Sequence, residues 1–424
     1  MALSLPRGTR DYGPAEAIAF RHMLSTIEET FRKFGFYPIE TPSIETKAVL
    51  STKVYGSDSS KEIYIMEGGE EGLRYDLTVP LARYMAMNRD IPLPFRRYQL
   101  GRIWRRDEPQ HMRSREFMQA DIDIIGSSEV SSDAEIVAAA SMAIESLGIS
   151  DYSILINSRK VLDCILDLFN ISKELHIGAI RAIDKMDKLS VPEVFDELGK
   201  VGIDSKAAEG LLGFVKDASD PDSVLHKLGA NVPQCSDEIK RLESLLKSIK
   251  AYGIRGNLVI DLSLARGLDY YTGAIWEIVV YAEGKRLPSI AAGGRYDGLI
   301  AAYSKAETPA VGISIGADRV FEILGSHAQK TFAKVFVAHI GDENIDYALF
   351  VANKLRNAGI AADLDVTKRG IAKQLGHANS LGIRYSAILG NKEMADSRVR
   401  LRNMESGEEE VLGIDEAIEK LKSG

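Results

Sequence analysis

The sequence predicts an α+β protein, in which an antiparallel sheet flanked by helices is interrupted by an all-helical insertion and followed by a smaller α/β domain. Two β segments, Arg97 to Arg105 and Phe117 to Ile125, are joined by a polar loop, and the second alternates polar and apolar side chains. The pattern from about residue 170 to 252 is mainly helical. From Lys334 onward strand and helix patterns alternate, which is typical of a mostly parallel sheet.

Length and composition favour a globular enzyme. The 424 residues, 45% of them hydrophobic, are enough to bury a large core in two or three domains. The formal net charge of −8 argues against binding of polyanions through the overall field, so nucleic acid would need local basic patches. The two cysteines, Cys164 and Cys235, have no spacing for zinc or a redox pair, which predicts no disulfide framework. Without an apolar signal segment or a bilayer-length stretch, we expect a cytoplasmic protein with no membrane partner.

The first predicted helix begins at Pro14, carries one apolar stripe and ends at Gly35. The strand that follows contains Pro38 and Pro42. Because proline removes a backbone donor, this strand is predicted to lie at a sheet edge.

Asp76 and Thr78 precede a helix that Pro80 can begin, and the spacing of two predicts that both lie on one face of a short strand. An acid and a hydroxyl near a helix start ordinarily cap the helix. The alternative is that both side chains receive an ammonium group.

The central hairpin is rich in arginine and has one unusually polar face. Its arginines are either solvated or paired with acidic residues of the loop, or they bind an anion. Because the stability of a hairpin does not require so many guanidinium groups, the composition favours an anionic ligand. They are Arg96, Arg97, Arg102, Arg105, Arg106, Arg113 and Arg115. The polar face of the second strand carries Phe117, Gln119, Asp121 and Asp123.

Three later segments also combine turns with polar groups. Arg266 to Tyr271 joins two predicted strands, where its tyrosines either pack in a core or line a site. Gly293 and Gly294 permit close approach of a ligand or form a bulge. Arg319 lies just inside a helix N-terminus, where a cation opposes the helix dipole, so a bound phosphate explains it better than helix stability.

These segments resemble the motifs of class II aminoacyl-tRNA synthetases. The run Trp104-Arg105-Arg106-Asp107 is similar to motif 2, usually Phe-Arg-x-Glu, with Trp and Asp at the two departing positions. The first helix with its proline-bearing strand resembles motif 1, and the segment ending at Arg319 resembles motif 3. The run Arg266 to Tyr271 is similar to the histidine-specific motif of the histidyl-tRNA synthetase family, and the likeness extends over essentially the whole chain.

The resemblance implies activation of L-histidine by ATP to histidyl-adenylate, with Mg²⁺, and transfer to the 3′ end of tRNA(His) with release of AMP and diphosphate. It also implies a homodimer, a class II catalytic domain at residues 1–325 and an anticodon-binding α/β domain at 332–424. The insertion is expected to contact the tRNA acceptor arm.

The resemblance further assigns residues to roles, with no metal-binding side chains among them. Arg266 would stabilise the transition state, and Arg105 would contact the histidine carboxylate and the α-phosphate. The residues expected to bind ATP are Arg105, Arg113, Phe117 (stacked on adenine) and Arg319. The residues expected to bind the α-ammonium group of histidine are Asp76, Thr78 and Gln119. The ring nitrogens would be contacted by Asp123 and Tyr271, with Tyr270, Gly293 and Gly294 completing the pocket.

Two other functions compete. A catalytically silent synthetase-like regulatory subunit of ATP phosphoribosyltransferase would lack the C-terminal domain and part of the site, whereas a class II synthetase for another amino acid would lack the run Arg266 to Tyr271. Short matches to class I signatures around His176 and Lys185 are interpreted as coincidence.

Overall fold

The computed structural model describes residues 3–52, 63–216, 220–265, 270–304, 306–325, 329–367 and 369–423. The chain divides into two compact units, Met1–Arg10 with Met23–Gly325, and Asp11–His22 with Ser326–Gly424. Among the described residues, no helix has the length and apolar character needed to cross a membrane.

The helices follow the predicted order. They are α1 (Pro14–Lys33), α2 (Lys47–Leu50), α3 (Thr78–Met87), α4 (Val130–Ser146), α5 (Arg159–Leu168), α6 (Lys173–Ile183), α7 (Val191–Val201), α8 (Ser205–Val215), α9 (Pro221–Asn231), α10 (Ser236–Ala251), α11 (Ala301–Ser304), α12 (Ala317–Leu324), α13 (Ile345–Asn357), α14 (Ile371–Ser380), α15 (Asn391–Ala395) and α16 (Ile414–Ser423). Short 3₁₀ turns lie at Asp184–Asp187, Pro233–Cys235 and Asp342–Asn344.

The strands form one large sheet, one five-stranded sheet and two small ribbons. They are β1 (Tyr37–Pro38), β2 (Ile44–Thr46), β3 (Glu71–Leu73), β4 (Phe95–Trp104), β5 (Glu116–Ile125), β6 (Ser153–Ser158), β7 (Asn257–Ile260), β8 (Ala274–Val279), β9 (Tyr281–Ala282), β10 (Lys285–Arg286), β11 (Ala291–Arg295), β12 (Ala310–Gly316), β13 (Val335–His339), β14 (Ala362–Leu364), β15 (Tyr385–Leu389), β16 (Arg398–Asn403) and β17 (Glu409–Gly413).

The large sheet has the order β1-β4-β5-β12-β11-β8-β6-β7. Every pairing from β4 to β6 is antiparallel, as the sequence predicts, whereas the outer pairs β1–β4 and β6–β7 are parallel. A parallel pair needs a crossover connection, and the helices α5 to α10 supply it between β6 and β7. The fold class is confirmed, with a sheet that is mixed at both edges and with Pro38 on edge strand β1.

The two faces of β5 differ as the alternation predicts. Ala120, Ile122 and Ile124 are buried in the core, where α4 packs against β5 and β12. The opposite face carries Gln119, Asp121 and Asp123, which are also almost fully buried. Since buried carboxylates are costly unless they are paired, this face requires a functional explanation.

The helical insertion holds a disulfide that the sequence analysis excluded. Cys164 of α5 and Cys235 at the 3₁₀ turn before α10 are bonded, with Cα atoms 6.4 Å apart across 71 residues of sequence. Sequence spacing could not reveal this pair, because the fold of α5 to α10 brings the two segments together. The buried ring of His176 contacts Asp163 Oδ1 and the carbonyl of Ile171, at 2.8 and 3.1 Å, so its role there is structural.

The second sheet has the order β14-β13-β15-β16-β17. Strands β13, β14 and β15 are parallel, whereas β16 and β17 form an antiparallel hairpin that the sequence analysis missed. Apolar residues of β13, β15 and β16 are buried in one core with α13 and α16, and other residues of β13 pack with α14 on the opposite side.

Candidate functional site

A cavity of about 650 Å³ opens on the polar face of the large sheet. Its walls come from β5, β12, the start of α3, the loop between β4 and β5, and the segment that follows β10. Most of the site residues predicted from the sequence line it, namely Asp76, Thr78, Arg105, Arg113, Phe117, Gln119, Asp123, Tyr270, Tyr271 and Arg319.

Asp76 and Thr78 lie in a loop and at the first turn of α3, not on a strand as predicted. The strand β3 ends at Leu73, and the Oδ1 atom of Asp76 accepts a hydrogen bond from the backbone N–H of Val79 at 3.0 Å. The helix therefore starts earlier than Pro80. The capping interpretation of Asp76 is correct for one of its two oxygens.

The second oxygen of Asp76 remains available for a ligand. Oδ2 of Asp76 and Oε1 of Gln119 are buried acceptors with no hydrogen-bond partner within the described residues, and both side chains line the cavity. Burial raises the pKa of Asp76 to about 6 despite its helix cap and the nearby Arg105 and Arg97. Two unsatisfied acceptors on the wall of one cavity are suited to a cationic donor such as an ammonium group.

Asp123 is more fully engaged than the sequence suggested. Its Oδ2 atom lies 2.6 Å from Nη2 of the fully buried Arg97, and its Oδ1 atom accepts a hydrogen bond from the hydroxyl of Tyr296. Burial raises the pKa of Asp123, an effect that Arg97 opposes. A Cβ on Gly312 would collide with the carboxylate of Asp123, so the glycine provides the space that Asp123 occupies.

An aromatic wall borders Asp123. The ring centroids of Tyr270 and Tyr271 are 4.9 Å apart, and those of Tyr270 and Tyr296 are 5.9 Å apart. Gly293 and Gly294, which were predicted to complete the pocket, do not line the cavity, and its surface on β11 is formed by Ala291 and Ala292. A Cβ on Gly294 would lie 2.9 Å from Cδ1 of Tyr271, so the absence of a side chain there positions this ring.

Asp121 lies between Gln119 and Asp123 on β5 and also lines the cavity. It is opposite Gln99 on β4 and Ser314 on β12, and its Oδ1 atom is buried without a hydrogen-bond partner in the described part of the chain. The pKa of Asp121 is raised to about 7, mainly by burial; Arg97 and Ser314 oppose this rise, whereas Asp123 and Asp76 contribute to it.

The opposite end of the cavity is basic and aromatic. Nε of Arg105 donates to the carbonyl of Tyr75 at 2.9 Å, and its guanidinium group lies 5.5 Å from the ring centroid of Phe117. The hairpin register places Phe117 opposite Ile103, close to the start of the arginine-rich loop. A flat ring beside a guanidinium group is suited to stacking a base next to its phosphates.

Two further arginines, Arg113 and Arg319, fix the conformation of the arginine-rich loop between β4 and β5, residues 105–115. Nε and Nη2 of Arg113 lie 3.0 and 2.9 Å from Oδ2 of Asp107. Arg319 donates to the carbonyls of Met112 and Ser289 at 3.0 and 2.6 Å. Both arginines reach the cavity while they fix the loop conformation.

The predicted residue Arg266 lies outside the described residues, as do the three residues after it. Sequence reasoning gave no role to Arg97, Asp121, Tyr296 or Gly312. The alternation of β5 placed Asp121 on the polar face, and Tyr296 follows the paired glycines by two residues, so both had a signal in the sequence. Arg97 and Gly312 had none, because their importance comes from contact with Asp123.

The insertion also contributes to the rim. Asp184, Asp187 and Lys188 line the cavity, although the short match to a class I signature in this segment was interpreted as coincidence. Their position depends on the insertion folding back over the sheet and not on any class I architecture.

Comparisons with known proteins identify the family of this chain. A family model described as histidyl-tRNA synthetase matches residues 8–320, and one described as an anticodon binding domain matches residues 334–424. A histidine–tRNA ligase from Clostridium tetani is 36% identical over 435 residues, covering 99% of this chain and 98% of that protein.

Solved structures give the same result. The crystal structure of histidyl-tRNA synthetase from Nostoc sp. PCC 7120 matches with a TM-score of 0.86 and 33% identity, covering 100% of this chain and 99% of that one. A structure from Bacillus halodurans C, described as an ATP phosphoribosyltransferase regulatory subunit/histidyl-tRNA synthetase, matches with a TM-score of 0.76 over 92% of this chain and 98% of that one. Because its identity is 19%, this second likeness concerns the fold alone.

Proposed function

The chain belongs to the histidyl-tRNA synthetase family and is a histidine–tRNA ligase, and we propose that the cavity on its large sheet is where histidine is activated with ATP. One observation carries this proposal. Two buried, unsatisfied acceptors on Asp76 and Gln119 share the cavity with Arg105 and Arg113 of the β4–β5 loop and with Arg319 of α12. Such a site matches a ligand with an ammonium group at one end and phosphates at the other.

The α-ammonium group binds Asp76, Gln119 and Thr78. The imidazole ring lies against Tyr270 and Tyr271 and within reach of Asp123. A wrong amino acid would leave these buried groups unpaired, at a cost of about 1 to 3 kcal/mol for each group.

ATP binds at the basic end. Phe117 stacks on adenine, Arg105 contacts both the histidine carboxylate and the α-phosphate, and Arg319 and Arg113 receive the distal phosphates. Arg113 exchanges its pairing with Asp107 for a phosphate when ATP binds. The attacking group is already a carboxylate, so attack at the α-phosphorus with loss of diphosphate needs alignment and charge neutralisation more than a general base. Arg266 stabilises the transition state.

Mg²⁺ would neutralise charge on the leaving phosphates. Asp261 and Glu277 line the cavity and offer the oxygen donors that Mg²⁺ prefers. The described residues hold no group of three or more His, Cys, Asp and Glu side chains placed for a metal ion. Phosphate oxygens and water would therefore complete its coordination.

The remaining assignments concern the whole protein. Residues 1–325 form the catalytic domain, and residues 332–424 bind the anticodon of tRNA(His). The enzyme is cytoplasmic and acts as a homodimer, with the motif 1 region at the dimer interface.

ATP–diphosphate exchange tests this function. L-Histidine should stimulate exchange, and no other amino acid should do so at equal concentration. Exchange stimulated by another amino acid would identify a different class II synthetase, and absence of any exchange would favour the silent regulatory subunit. Arg266→Ala should reduce exchange by orders of magnitude while circular dichroism shows an unchanged fold.

Removal of residues 332–424 tests the role of the second domain. Exchange should persist, because the cavity lies within the first unit, whereas charging of tRNA(His) should fall strongly. If both activities were unchanged, the anticodon assignment would be wrong.

A further inference from the structure

The amino-acid half of the cavity holds a cluster of buried carboxylates. Asp76, Asp121 and Asp123 all line it and are at most 3% exposed. The buried guanidinium group of Arg97 contacts Asp123 directly and influences the ionisation of all three. If all three carboxylates ionise, they and Arg97 together carry a net charge of −2 where charge is poorly solvated, and the nearby Arg105 and Arg74 offset part of it.

Asp121, like Asp76, has one buried oxygen that lacks a hydrogen-bond partner among the described residues. The oxygens of Asp123 are engaged by Arg97 and Tyr296, and one oxygen of Asp76 caps α3. Oδ1 of Asp121 is buried with no hydrogen-bond partner among the described residues, while Ser314 on β12 interacts with the same carboxylate. A buried carboxylate oxygen on a cavity wall, in a side chain 3% exposed, indicates a donor that belongs to a ligand.

The position of Asp121 defines which part of the ligand it meets. Alternate side chains of a strand lie on one face about 7 Å apart, so Asp121 is one such step from Gln119 and one from Asp123. A histidine that extends from the ammonium site at Gln119 to the ring site at Asp123 must pass over Asp121. This step rests on the proposed function of the cavity.

We propose that the pocket binds histidine with its imidazole ring protonated, and that Asp121 is the specificity-determining carboxylate that accepts a hydrogen bond from the ring. The ammonium and imidazolium charges then balance the net charge of the three carboxylates and Arg97. A neutral ring of similar shape leaves Asp121 without a counter-charge, so the pocket selects for a side chain that can be protonated near neutral pH.

Other charged and polar groups face Asp121 from each neighbouring element. On β4 they are Arg97 and Gln99, on β12 Ser314, and before α3 Asp76 and Arg74. The guanidinium group of Arg74 donates to the carbonyls of Thr41 and Arg102, at 2.7 and 2.9 Å, so those bonds fix it. Arg105 lies towards the nucleotide end, where it meets the carboxylate of histidine.

Proton uptake on binding is the distinguishing measurement. The ring of free histidine is mostly neutral at pH 8, so binding of its protonated form takes up a proton from the buffer. Isothermal titration of the full-length enzyme with L-histidine, in phosphate and in Tris at pH 8.0, gives the number of protons from the difference in enthalpy. We expect about one proton per histidine at pH 8. Kd should rise on the order of fourfold between pH 7 and pH 8, less than the tenfold of a full proton, because Asp121 in the empty site is partly protonated at pH 7 and releases that proton on binding.

Asp121→Asn should reduce the uptake to near zero and make Kd nearly independent of pH between 7 and 8, whereas Asp121→Glu should retain the uptake. Asp133→Asn is the matched control, since Asp133 is a buried carboxylate outside the cavity. In this variant its partner Arg295 still bonds to Asp297 and to the carbonyl of Ser127. The variant should bind histidine with the wild-type proton number.

The outcomes separate this inference from the proposed function. If wild-type enzyme binds histidine without proton uptake, the protonated-ring proposal is wrong although the enzyme still recognises histidine. If Asp121→Asn keeps the full uptake, another group holds the ring. If no histidine binds at all, the proposed function of the cavity itself fails.

Discussion

Replacement of Asp121 by asparagine should stabilise the ligand-free protein at alkaline pH. The substitution keeps the shape of the side chain and removes a charge from a site that is 3% exposed. Burial raises the pKa of Asp121 to about 7, whereas an aspartate in an unfolded chain titrates near 4. A group whose pKa is raised on folding contributes stability at low pH and loses it as pH rises towards its folded pKa.

The magnitude follows from this difference. Between pH 5 and pH 8 the unfolded chain binds fewer protons at this position than the native protein, so the free energy of unfolding decreases by about 2 to 3 kcal/mol through Asp121 alone. The amide side chain of the Asp121→Asn variant does not titrate. The free energy of unfolding of this variant should therefore fall less than that of the wild type over the same range, by about that amount.

Urea denaturation at pH 5 and pH 8 can be followed by tryptophan fluorescence, because Trp104 on β4 and Trp276 on β8 both belong to the large sheet. Asp151→Asn, at an exposed position, is the control and should follow the wild type at both values. Equal decreases for wild type and Asp121→Asn would refute the reasoning, since Asp121 would then not be a buried ionisable group that destabilises the empty site.

Three further predictions concern the site and the insertion. Asp76→Asn keeps a side-chain oxygen for the helix cap but loses the charge that faces the ammonium group, so KM for histidine in diphosphate exchange should rise about 10- to 100-fold with little change in Tm. Gly294→Ala places a methyl group 2.9 Å from the Tyr271 ring and should raise KM for histidine while leaving KM for ATP unchanged. Reduction of the disulfide between Cys164 and Cys235, which closes a loop of 71 residues, should lower the stability of the insertion by about 4 kcal/mol. Thermal melts with and without reductant measure this effect, and a double Cys→Ser variant should not respond to reductant.

The sequence predicted elements well where one periodicity was sustained. The stripe of α1 and the alternation of β5 each run over ten or more residues, and both elements formed with nearly the predicted bounds. Short elements were predicted less accurately, because β1 and β3 form through pairing with strands that are distant in sequence. The placement of Asp76 on a strand was wrong for this reason, since only three residues of β3 form before the loop.

Only the residues of the candidate site that belong to recognisable sequence motifs could be predicted. Asp76, Gln119 and Arg105 were predicted as site residues because each belongs to a recognisable run, and all three line one cavity. The contribution of Arg97 and Gly312 was not predictable, because it consists in the way they accommodate Asp123 from the neighbouring strands β4 and β12. The disulfide escaped prediction for a similar reason, since its cysteines meet only after the insertion has folded.

The same residues that destabilise the empty pocket give it selectivity. An antiparallel sheet fixes Gln119, Asp121 and Asp123 at regular spacing, and the apolar face beneath them anchors β5 in the core. This rigid support lets acidic side chains remain desolvated where they would otherwise rotate into solvent. A ligand that carries two positive charges would compensate for the water that these carboxylates lose on folding, whereas a ligand with one positive charge would compensate only in part. In the proposed mode of binding, selectivity for histidine thus follows from the number and position of buried charges as much as from the shape of the pocket.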